Sequence, residues 1–190
     1  VKVFDLSNVQ KGGAIFDIEK LKWFNKEYLK QLPQVELLNL AQGALSNVNF
    51  DREVLARALP TILERIHTLG ELRDFAQAGE FSYFFERPNV EAERLLWKDE
   101  KDKAVTLKRL QKVVEFLGIL DEKSFTAEAI KNQIFGYATE EGKGQVLWPL
   151  RVALSGRDKS PDPFTLGEIL GKQETLARIA KAEEKLSSGL

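Results

Sequence analysis

The sequence predicts an all-α fold, and three observations predict it. Apolar residues recur at three- and four-residue steps in nearly every segment of the 190-residue chain, as they do along the buried face of a helix. Residues that cap or start helices, namely Asp, Thr and Pro, stand where these periodic segments begin. The connections are short, so consecutive helices are expected to pack against one another. No repeat of fixed period stands out, which disfavours a solenoid.

Two helices are predicted first. The run DIEKLKWFNKEYLKQL, residues 17–32, places its apolar residues on one face and has Asp17 as its N-cap. Pro33 interrupts this pattern and suits the first turn of the next helix. In that second helix the shared apolar face consists of Val35, Leu38, Ala41 and Leu45.

Asp51 is the predicted cap of a third helix, which begins DREVLARAL. Pro60 either kinks this helix or restarts it as PTILERIHTL, and Gly70 is expected to end that run. A short helix, GELRDFAQ, is predicted to follow.

A change of character after this helix predicts a domain boundary. The stretch AGEFSYFFERPN, residues 78–89, combines four aromatic residues with glycine and proline, which favours a strand-like or irregular crossing over a helix. We therefore predict a first helical unit of residues 1–77 and a second of residues 78–190.

Helical periodicity resumes in the second unit. Its predicted segments are VEAERLLW, KAVTLKRLQKVVEFLGIL, TAEAIKNQIFGYATEEG, QVLWPLRVALSG, PFTLGEILG and KQETLARIAKAEEKL. Thr126 is the expected cap of the third of these, and a GKG loop at residues 142–144 precedes the fourth. In the fifth, Asp162 is the expected cap and Pro163 the first helical residue.

The composition narrows the possible chemistry. Hydrophobic residues make up 43% and charged residues 30%, which is typical of a globular protein. No cysteine and a single histidine exclude disulfides, thiolate zinc sites and histidine clusters. With neither an apolar run of the ~20 residues that span a bilayer nor a secretory leader, the chain is expected to be cytoplasmic, with no membrane partner.

The sequence offers no catalytic constellation. The glycine-containing run EEGKGQ lacks the spacing of a phosphate-binding loop and reads as a turn between helices. Acidic residues interleave with lysines, as in WKDEKDK, which is typical of a solvated helix start. We therefore expect no catalysis, no metal and no cofactor in this chain.

The stretch WPLRVALSGRDKSPDPF, residues 148–164, is the strongest candidate for a binding site. Between residues 142 and 161 Asp158 is the only acidic residue. A helix would project Trp148 and Arg151 from one side, and a flat indole beside a forked guanidinium suits single-stranded bases. The alternative is that Trp148 is core and Arg151 pairs with a glutamate, and the periodicity does not decide between them.

The same region carries a family resemblance. The runs GQVLWPLRVALSG, SPDPF and GEILGKQETLARIAKAEE resemble the carboxyl-terminal anticodon-binding region of bacterial glutamyl-tRNA synthetases. The run GGAIFDIEKLKWFNKEYLKQL is similar to the helical segment that follows the catalytic core in that family. The matches occur in the family's order and cover essentially the whole chain.

This resemblance implies two consecutive helical bundle units of the class I anticodon-binding type, a stem-contact unit and an anticodon-binding unit. The parent enzyme uses ATP and magnesium to attach glutamate to tRNA in a Rossmann catalytic domain marked by HIGH-like and KMSKS-like motifs. Neither motif occurs here, so the chain alone is expected to bind tRNA and to be inactive. The implied partners are the anticodon stem-loop of tRNA(Glu) and the enzyme's own catalytic domain, with the chain a monomer.

The resemblance also implies individual contacts. Arg151, in the PLR motif, would contact an anticodon base, and Trp148 would line the same pocket. Backbone and apolar contacts to the unstacked bases would come from Ser160, Pro161, Pro163 and Phe164. Pro163 stands where related sequences often have leucine.

Arg65 is a further implied contact, in the run ERIHTLGEL. In the family this helix carries an arginine that faces the third anticodon base in enzymes restricted to tRNA(Glu). Arg65 therefore points to a discriminating enzyme. The alternative is that Arg65 is an exposed helix arginine paired with neighbouring acids or with solvent.

A protein-interaction scaffold is the competing hypothesis from another class. The aromatic run EFSYFFERP would then dock a partner, and the net charge of −1 favours this over a polyanion. Salt separates the two, because RNA binding weakens as salt rises whereas a mainly apolar contact barely responds.

Overall fold

The structure is a computed structural model and describes residues 15–45 and 49–188. Within those ranges every regular element is a helix, which confirms the all-α prediction. The first fourteen residues of the predicted first unit, including the start of the run GGAIF, lie outside the described residues.

Four helices form the first part of the structure: α1 (Ile18–Gln31), α2 (Gln34–Ala44), α3 (Arg52–Arg65) and α4 (Leu69–Gln77). The predicted caps are confirmed, since the carboxylates of Asp17 and Asp51 accept hydrogen bonds from backbone N–H groups in the first turns of α1 and α3. Pro60 lies inside α3, which continues through it.

The predicted end of this helix at Gly70 is wrong. Helix α3 already ends at Arg65, and Gly70 lies in the first turn of α4. The reason is a cap that the prediction missed, because the Thr68 hydroxyl accepts a hydrogen bond from the N–H of Glu71 and starts a new helix there.

The aromatic crossing is also more regular than predicted. Residues Ser82–Phe85 within it form a single helical turn, α5. The next run, VEAERLLW, is less regular than predicted, because only Ala92–Leu95 form a 3-10 turn there. The side chains of Phe81, Tyr83 and Phe84 are buried, so burial of aromatic surface fixes α5. They belong to the core and offer no docking surface of the kind that the scaffold hypothesis requires.

The remaining helices are α6 (Lys103–Gly118), α7 (Ala127–Glu141), α8 (Lys143–Ser155), α9 (Pro163–Leu170) and α10 (Lys172–Ser187). Thr126 and Asp162 cap α7 and α9 as predicted, and Pro163 is the first residue of α9. The predicted GKG loop shrinks to Gly142, whose φ of 102° turns the chain directly from α7 into α8.

The hydrophobic core continues across the predicted boundary between residues 77 and 78. Helix α10 packs against α6 and α8, and α9 packs against α7, α8 and α3. The Nε of Arg57 in α3 donates a 2.8 Å hydrogen bond to the carbonyl oxygen of Ile169 in α9. The division into two units stays a prediction, and contacts of this kind position the first part against the second.

A buried arginine ties three of these elements together. Arg178 in α10 is 3% exposed, and its Nη1 donates to the carbonyl oxygens of Tyr83 (2.6 Å) and Leu154 (2.5 Å). Its Nε donates to Glu174 at 2.8 Å, and Arg87 pairs with the same carboxylate at 2.7 Å. Burial raises the pKa of Glu174, but the hydrogen bonds from the two arginines outweigh it and hold that pKa below its usual value.

Helix α1 differs from the rest because most of its apolar side chains are exposed. Leu29 is its one buried residue. Phe16, just before the helix, and Trp23 and Tyr28 within it are 74%, 55% and 69% exposed.

None of the described helices combines the length and the apolar character needed to cross a membrane.

Candidate nucleic-acid interface

An open cleft of about 920 Å³ lies where the end of α3, the turn at residues 79–80 and the loop at residues 156–161 meet. Its charged lining consists of Arg65, Arg94, Arg157, Lys159, Glu64, Glu80 and Asp158. Cations thus outnumber carboxylates by one. The cleft brings Thr61, Glu64 and Arg65, at the end of α3, together with the loop of the stretch that the sequence singled out.

Arg65 is held in the cleft by a carboxylate and two aromatic rings. Its Nη2 donates to Glu80 Oε2 at 2.9 Å. Its guanidinium carbon lies 5.2 Å from the centroid of the Phe81 ring and 5.9 Å from that of Phe75. The hydrogen bond between Arg65 and Glu80 raises the pKa of Arg65 and lowers the pKa of Glu80. The side chain is still 40% exposed, so a positioned guanidinium keeps free donors toward the cleft.

Beneath Arg65 lies a buried hydroxyl. The Oη of Tyr83 is inaccessible to solvent and has no hydrogen-bond partner among the described residues. Burial raises the pKa of Tyr83, and the nearby positive charges of Arg65 and Arg157 oppose that rise. The phenol therefore stays neutral below the guanidinium.

The loop at residues 156–161 begins with a left-handed turn. Gly156 has a φ of 64°, and a Cβ at this position would lie 2.7 Å from the Cβ of Pro88, so both conformation and space require glycine. Arg157 then reaches across the cleft, where its Nη2 donates to the carbonyl oxygen of Gly79 at 2.7 Å. The loop is thus tied to the turn that carries Glu80.

Trp148 is half-buried, and its indole is hydrogen-bonded as well as packed. Its Nε1 donates to the carbonyl oxygen of Arg94 at 3.0 Å, and its ring centroid lies 5.2 Å from that of Trp97. The Trp97 ring in turn covers Gly144, where a side chain would overlap it. Trp148 is therefore neither fully buried, as a core residue would be, nor fully exposed, as a surface for stacking a base would be.

Arg151 lies one helical turn beyond Trp148 and is half-buried. No carboxylate in the part of the chain that the structure describes forms an ion pair with it, so the predicted alternative of a glutamate partner is not seen there. Neither residue lines the cleft. Of the candidate residues, the cleft collects Arg65, Ser160 and Pro161.

The resemblance implied apolar contacts from Pro163 and Phe164 to the unstacked bases, and those contacts stay a prediction. Phe164 is 8% exposed and Pro163 is also buried, because both begin α9 on the face that packs into the core. The Asp162 side chain accepts hydrogen bonds from the N–H groups of Phe164 and Thr165, so the backbone is committed to the helix start. Pro163 and Phe164 therefore support the end of the loop at residues 156–161 from the core side.

Two residues of the cleft were missed by sequence reasoning. Arg94 sits in the run VEAERLLW and Glu80 in the aromatic crossing, and each is separated by many residues from the groups it meets. A lone charged residue in a short turn does not indicate, from sequence alone, which distant residues it will contact. No group of three or more potential metal ligands occurs among the described residues.

Comparison with known proteins assigns the chain to a family. The model of a family described as the anticodon binding domain matches residues 18–183. The chain belongs to this family. The chain is also 35% identical over 188 residues to a glutamate–tRNA ligase of Flavobacterium johnsoniae, covering 96% of the chain and 35% of the relative. A second glutamate–tRNA ligase, from Lachnoclostridium phytofermentans, is 32% identical, with 100% of the chain and 38% of the relative covered.

Solved structures agree with this family assignment. A crystal structure of a glutamate tRNA ligase from Elizabethkingia meningosepticum, in complex with its amino acid, superposes with a TM-score of 0.70 at 35% identity, over 96% of the chain and 35% of that structure. The glutamate–tRNA synthetase of Elizabethkingia anophelis gives 0.67 at 32% identity. The anticodon-binding chain therefore spans a little over a third of the length of the relatives that it matches.

Proposed function

We propose that the chain is the anticodon-binding part of a glutamate–tRNA ligase, which attaches glutamate to tRNA(Glu) with ATP. The observation that carries the proposal is the match of residues 18–183 to the anticodon binding domain, together with the similarity of the chain to glutamate–tRNA ligases. The open cleft with positioned arginines lies within that match. This cleft would supply part of the surface that binds RNA.

The catalytic reaction would take place elsewhere in the parent enzyme. The relatives are nearly three times as long as this chain, which leaves room for a domain that binds ATP and magnesium. The chain alone would bind tRNA without aminoacylating it. Its partners would be the anticodon stem-loop and that catalytic domain, in a monomeric cytoplasmic enzyme.

The cleft would take an unpaired base of the anticodon loop. Arg65 is supported by Glu80 on one edge and by the ring of Phe81 on its face, so binding a base would cost it little conformational entropy. A forked guanidinium hydrogen-bonds two acceptors on one base edge, which distinguishes bases. The proposal assigns Arg65 to the third anticodon base and predicts an enzyme that discriminates tRNA(Glu) from tRNA(Gln).

The neighbouring surface of α8 and the loop would contact the rest of the anticodon. Arg151 has no carboxylate partner among the described residues, so its donors are available to RNA. Ser160 and Pro161 line the cleft beside Arg65, and Trp148 stands half-buried next to Arg151. For Pro163 and Phe164 the proposal keeps a backbone role at the loop end, since both side chains are buried.

Binding of RNA hairpins tests the proposal. We would titrate the chain with the anticodon stem-loop of tRNA(Glu) and with a hairpin that differs only in the third anticodon base. Arg151→Ala is expected to weaken binding of both by about 1–3 kcal/mol, and Arg65→Gln to abolish the preference between them.

A matched control comes from α4, where Arg73 is exposed and, among the described residues, forms an ion pair with Asp74 alone. Arg73→Ala removes the same charge away from the cleft and should leave affinity nearly unchanged. If Arg151→Ala and Arg73→Ala behave alike, the assigned surface is wrong. If the wild-type chain binds neither hairpin, the proposed function itself fails.

A protein-interaction role stays the second candidate because of α1, whose apolar face is exposed. A contiguous exposed apolar face commonly marks a contact with another protein surface. Salt distinguishes the two functions, since RNA affinity should fall steeply between 50 and 200 mM salt. Binding that resists salt and is lost in Trp23→Ser would favour the interaction role.

A further inference from the structure

Arg94 lies in the 3-10 turn Ala92–Leu95, outside the stretches that resemble known contact residues, yet its side chain reaches the cleft loop. Its Nη1 donates to the carbonyl oxygen of Gly156 at 3.0 Å. Its Nη2 donates to Asp158 Oδ1 at 2.7 Å. One planar group thus spans a backbone oxygen and a side-chain oxygen of the same loop, which a guanidinium does and a single ammonium does not.

The backbone of the same residue holds a second element. The carbonyl oxygen of Arg94 accepts the 3.0 Å hydrogen bond from Trp148 Nε1. The loop at residues 156–161 lines the cleft, whereas Trp148 stands on α8 outside it. Arg94 therefore contacts both predicted RNA-binding elements, the loop at residues 156–161 through its side chain and Trp148 through its backbone.

We infer that Arg94 is a positioning residue for RNA recognition, which sets the loop at residues 156–161 relative to Trp148. The inference rests on the proposed function. Arg94 acts through the loop and need not touch RNA itself. It also neutralises Asp158, whose carboxylate lines the cleft and would repel a phosphate if it were unpaired.

The other anchors of the loop do not replace Arg94. Arg157 ties its own side chain to Gly79, and the Ser155 hydroxyl binds within the loop to the N–H of Arg157. Neither contact involves Asp158. If the side-chain hydrogen bonds of Arg94 were removed, the beginning of the loop would stay anchored through Ser155 and Arg157. The segment that carries Ser160 and Pro161 would no longer be held at a fixed distance from the 3-10 turn.

The first test needs no RNA. Arg94→Lys and Arg94→Gln should speed amide hydrogen exchange in residues 156–161 while leaving exchange in α6, α7 and α10 unchanged. Arg94 is 46% exposed at its side chain, so the variants are expected to fold. Unchanged exchange in the loop would overturn the positioning role directly.

The second test measures affinity for the anticodon stem-loop of tRNA(Glu). Arg94→Lys keeps the charge and loses the fork, and should weaken binding about tenfold, within the range of coupling between linked sites. Arg94→Gln combined with Asp158→Asn, which leaves no unpaired carboxylate in the cleft, should also weaken binding without altering the salt dependence relative to Asp158→Asn alone. A slope of log affinity against log salt that falls by ~0.7 between these two variants would instead indicate a direct phosphate contact and overturn the inference.

Asp158→Asn completes a double-mutant cycle. If Arg94 works through this carboxylate, the Arg94→Lys and Asp158→Asn effects should be clearly non-additive. Additive effects, or wild-type affinity in Arg94→Lys, would sink the inference while leaving the proposed function intact. Failure of the wild-type chain to bind the hairpin would instead sink the proposed function, and the RNA part of this inference with it.

Discussion

Two regions of the molecule use arginine in the same way and to different ends. Around Arg178 a guanidinium binds two backbone carbonyls and a carboxylate, and around the cleft Arg94 binds one carbonyl and a carboxylate. Arg178 is 3% exposed, whereas the side chains of Arg94 and Arg65 are 46% and 40% exposed. The hydrogen-bond partners of Arg178 and Arg94 are of the same kinds, but water reaches the side chain of Arg94 and not that of Arg178.

That difference sets what each region contributes. A buried ion pair is costly to break, because the surviving partners are left without water or hydrogen bonds. An exposed pair contributes little to stability, since water replaces either partner. The region around Arg178 therefore stabilises the fold, and the cleft keeps oriented donors that another molecule can use.

The largest effect is expected from Arg178→Met. The substitution keeps much of the side-chain volume but leaves the carbonyl oxygens of Tyr83 and Leu154 unpaired and Glu174 with Arg87 alone. We expect the free energy of unfolding to fall by about 3–5 kcal/mol, measured by urea denaturation. A loss below about 1 kcal/mol would mean that the two regions do not differ as described.

The next effect is a pH dependence that belongs to the buried region. The folded-state pKa of Glu174 lies below its usual value, so its contribution to stability is present above the unfolded pKa, near 4.5, and is lost as pH falls through the folded value. Urea denaturation at pH 7 and at pH 3 should show a smaller loss of stability for Glu174→Gln than for the wild type. Equal losses would count against this role.

Arg65→Gln should change stability by less than about 1 kcal/mol, because the Arg65–Glu80 pair is exposed. Its effect is expected in recognition, where the preference for the third anticodon base should disappear. Thermal denaturation alongside hairpin titration checks both parts. A destabilisation as large as that of Arg178→Met would show that Arg65 is structural.

The smallest effect is expected from Glu80→Gln. The amide keeps an oxygen that can accept from Arg65, so both stability and the position of the guanidinium should be nearly preserved. The hairpin should bind slightly more tightly, since a carboxylate is removed from the cleft. Weaker binding than wild type would show that the Glu80 charge itself is needed to orient Arg65.

Much of the fold could be predicted because the signals are local. Asp17, Asp51, Thr126 and Asp162 cap helices as predicted, and each acts on N–H groups within three residues of itself. The errors at Gly70 and in the aromatic crossing came from competing signals. A threonine cap in one case, and burial of Phe81 and Phe84 in the other, outweighed composition.

The candidate site was predicted less completely. The sequence indicated the basic stretch and, through the family resemblance, Arg65, and the cleft unites Arg65 with Ser160 and Pro161. It did not indicate Arg94, which lies 62 residues from Gly156. The resemblance also implied an apolar contact from Phe164 to an unstacked base, and the sequence did not show that the packing of α9 leaves this side chain only 8% exposed.

The sequence by itself determined the all-α class, the positions of most helix starts and the family, because helical period, capping and motif order are properties of neighbouring residues. Only the tertiary structure decided which arginines are buried and which face the cleft. The free energy of a charged group depends on how much water its surroundings leave it, and those surroundings come from segments far apart in the chain.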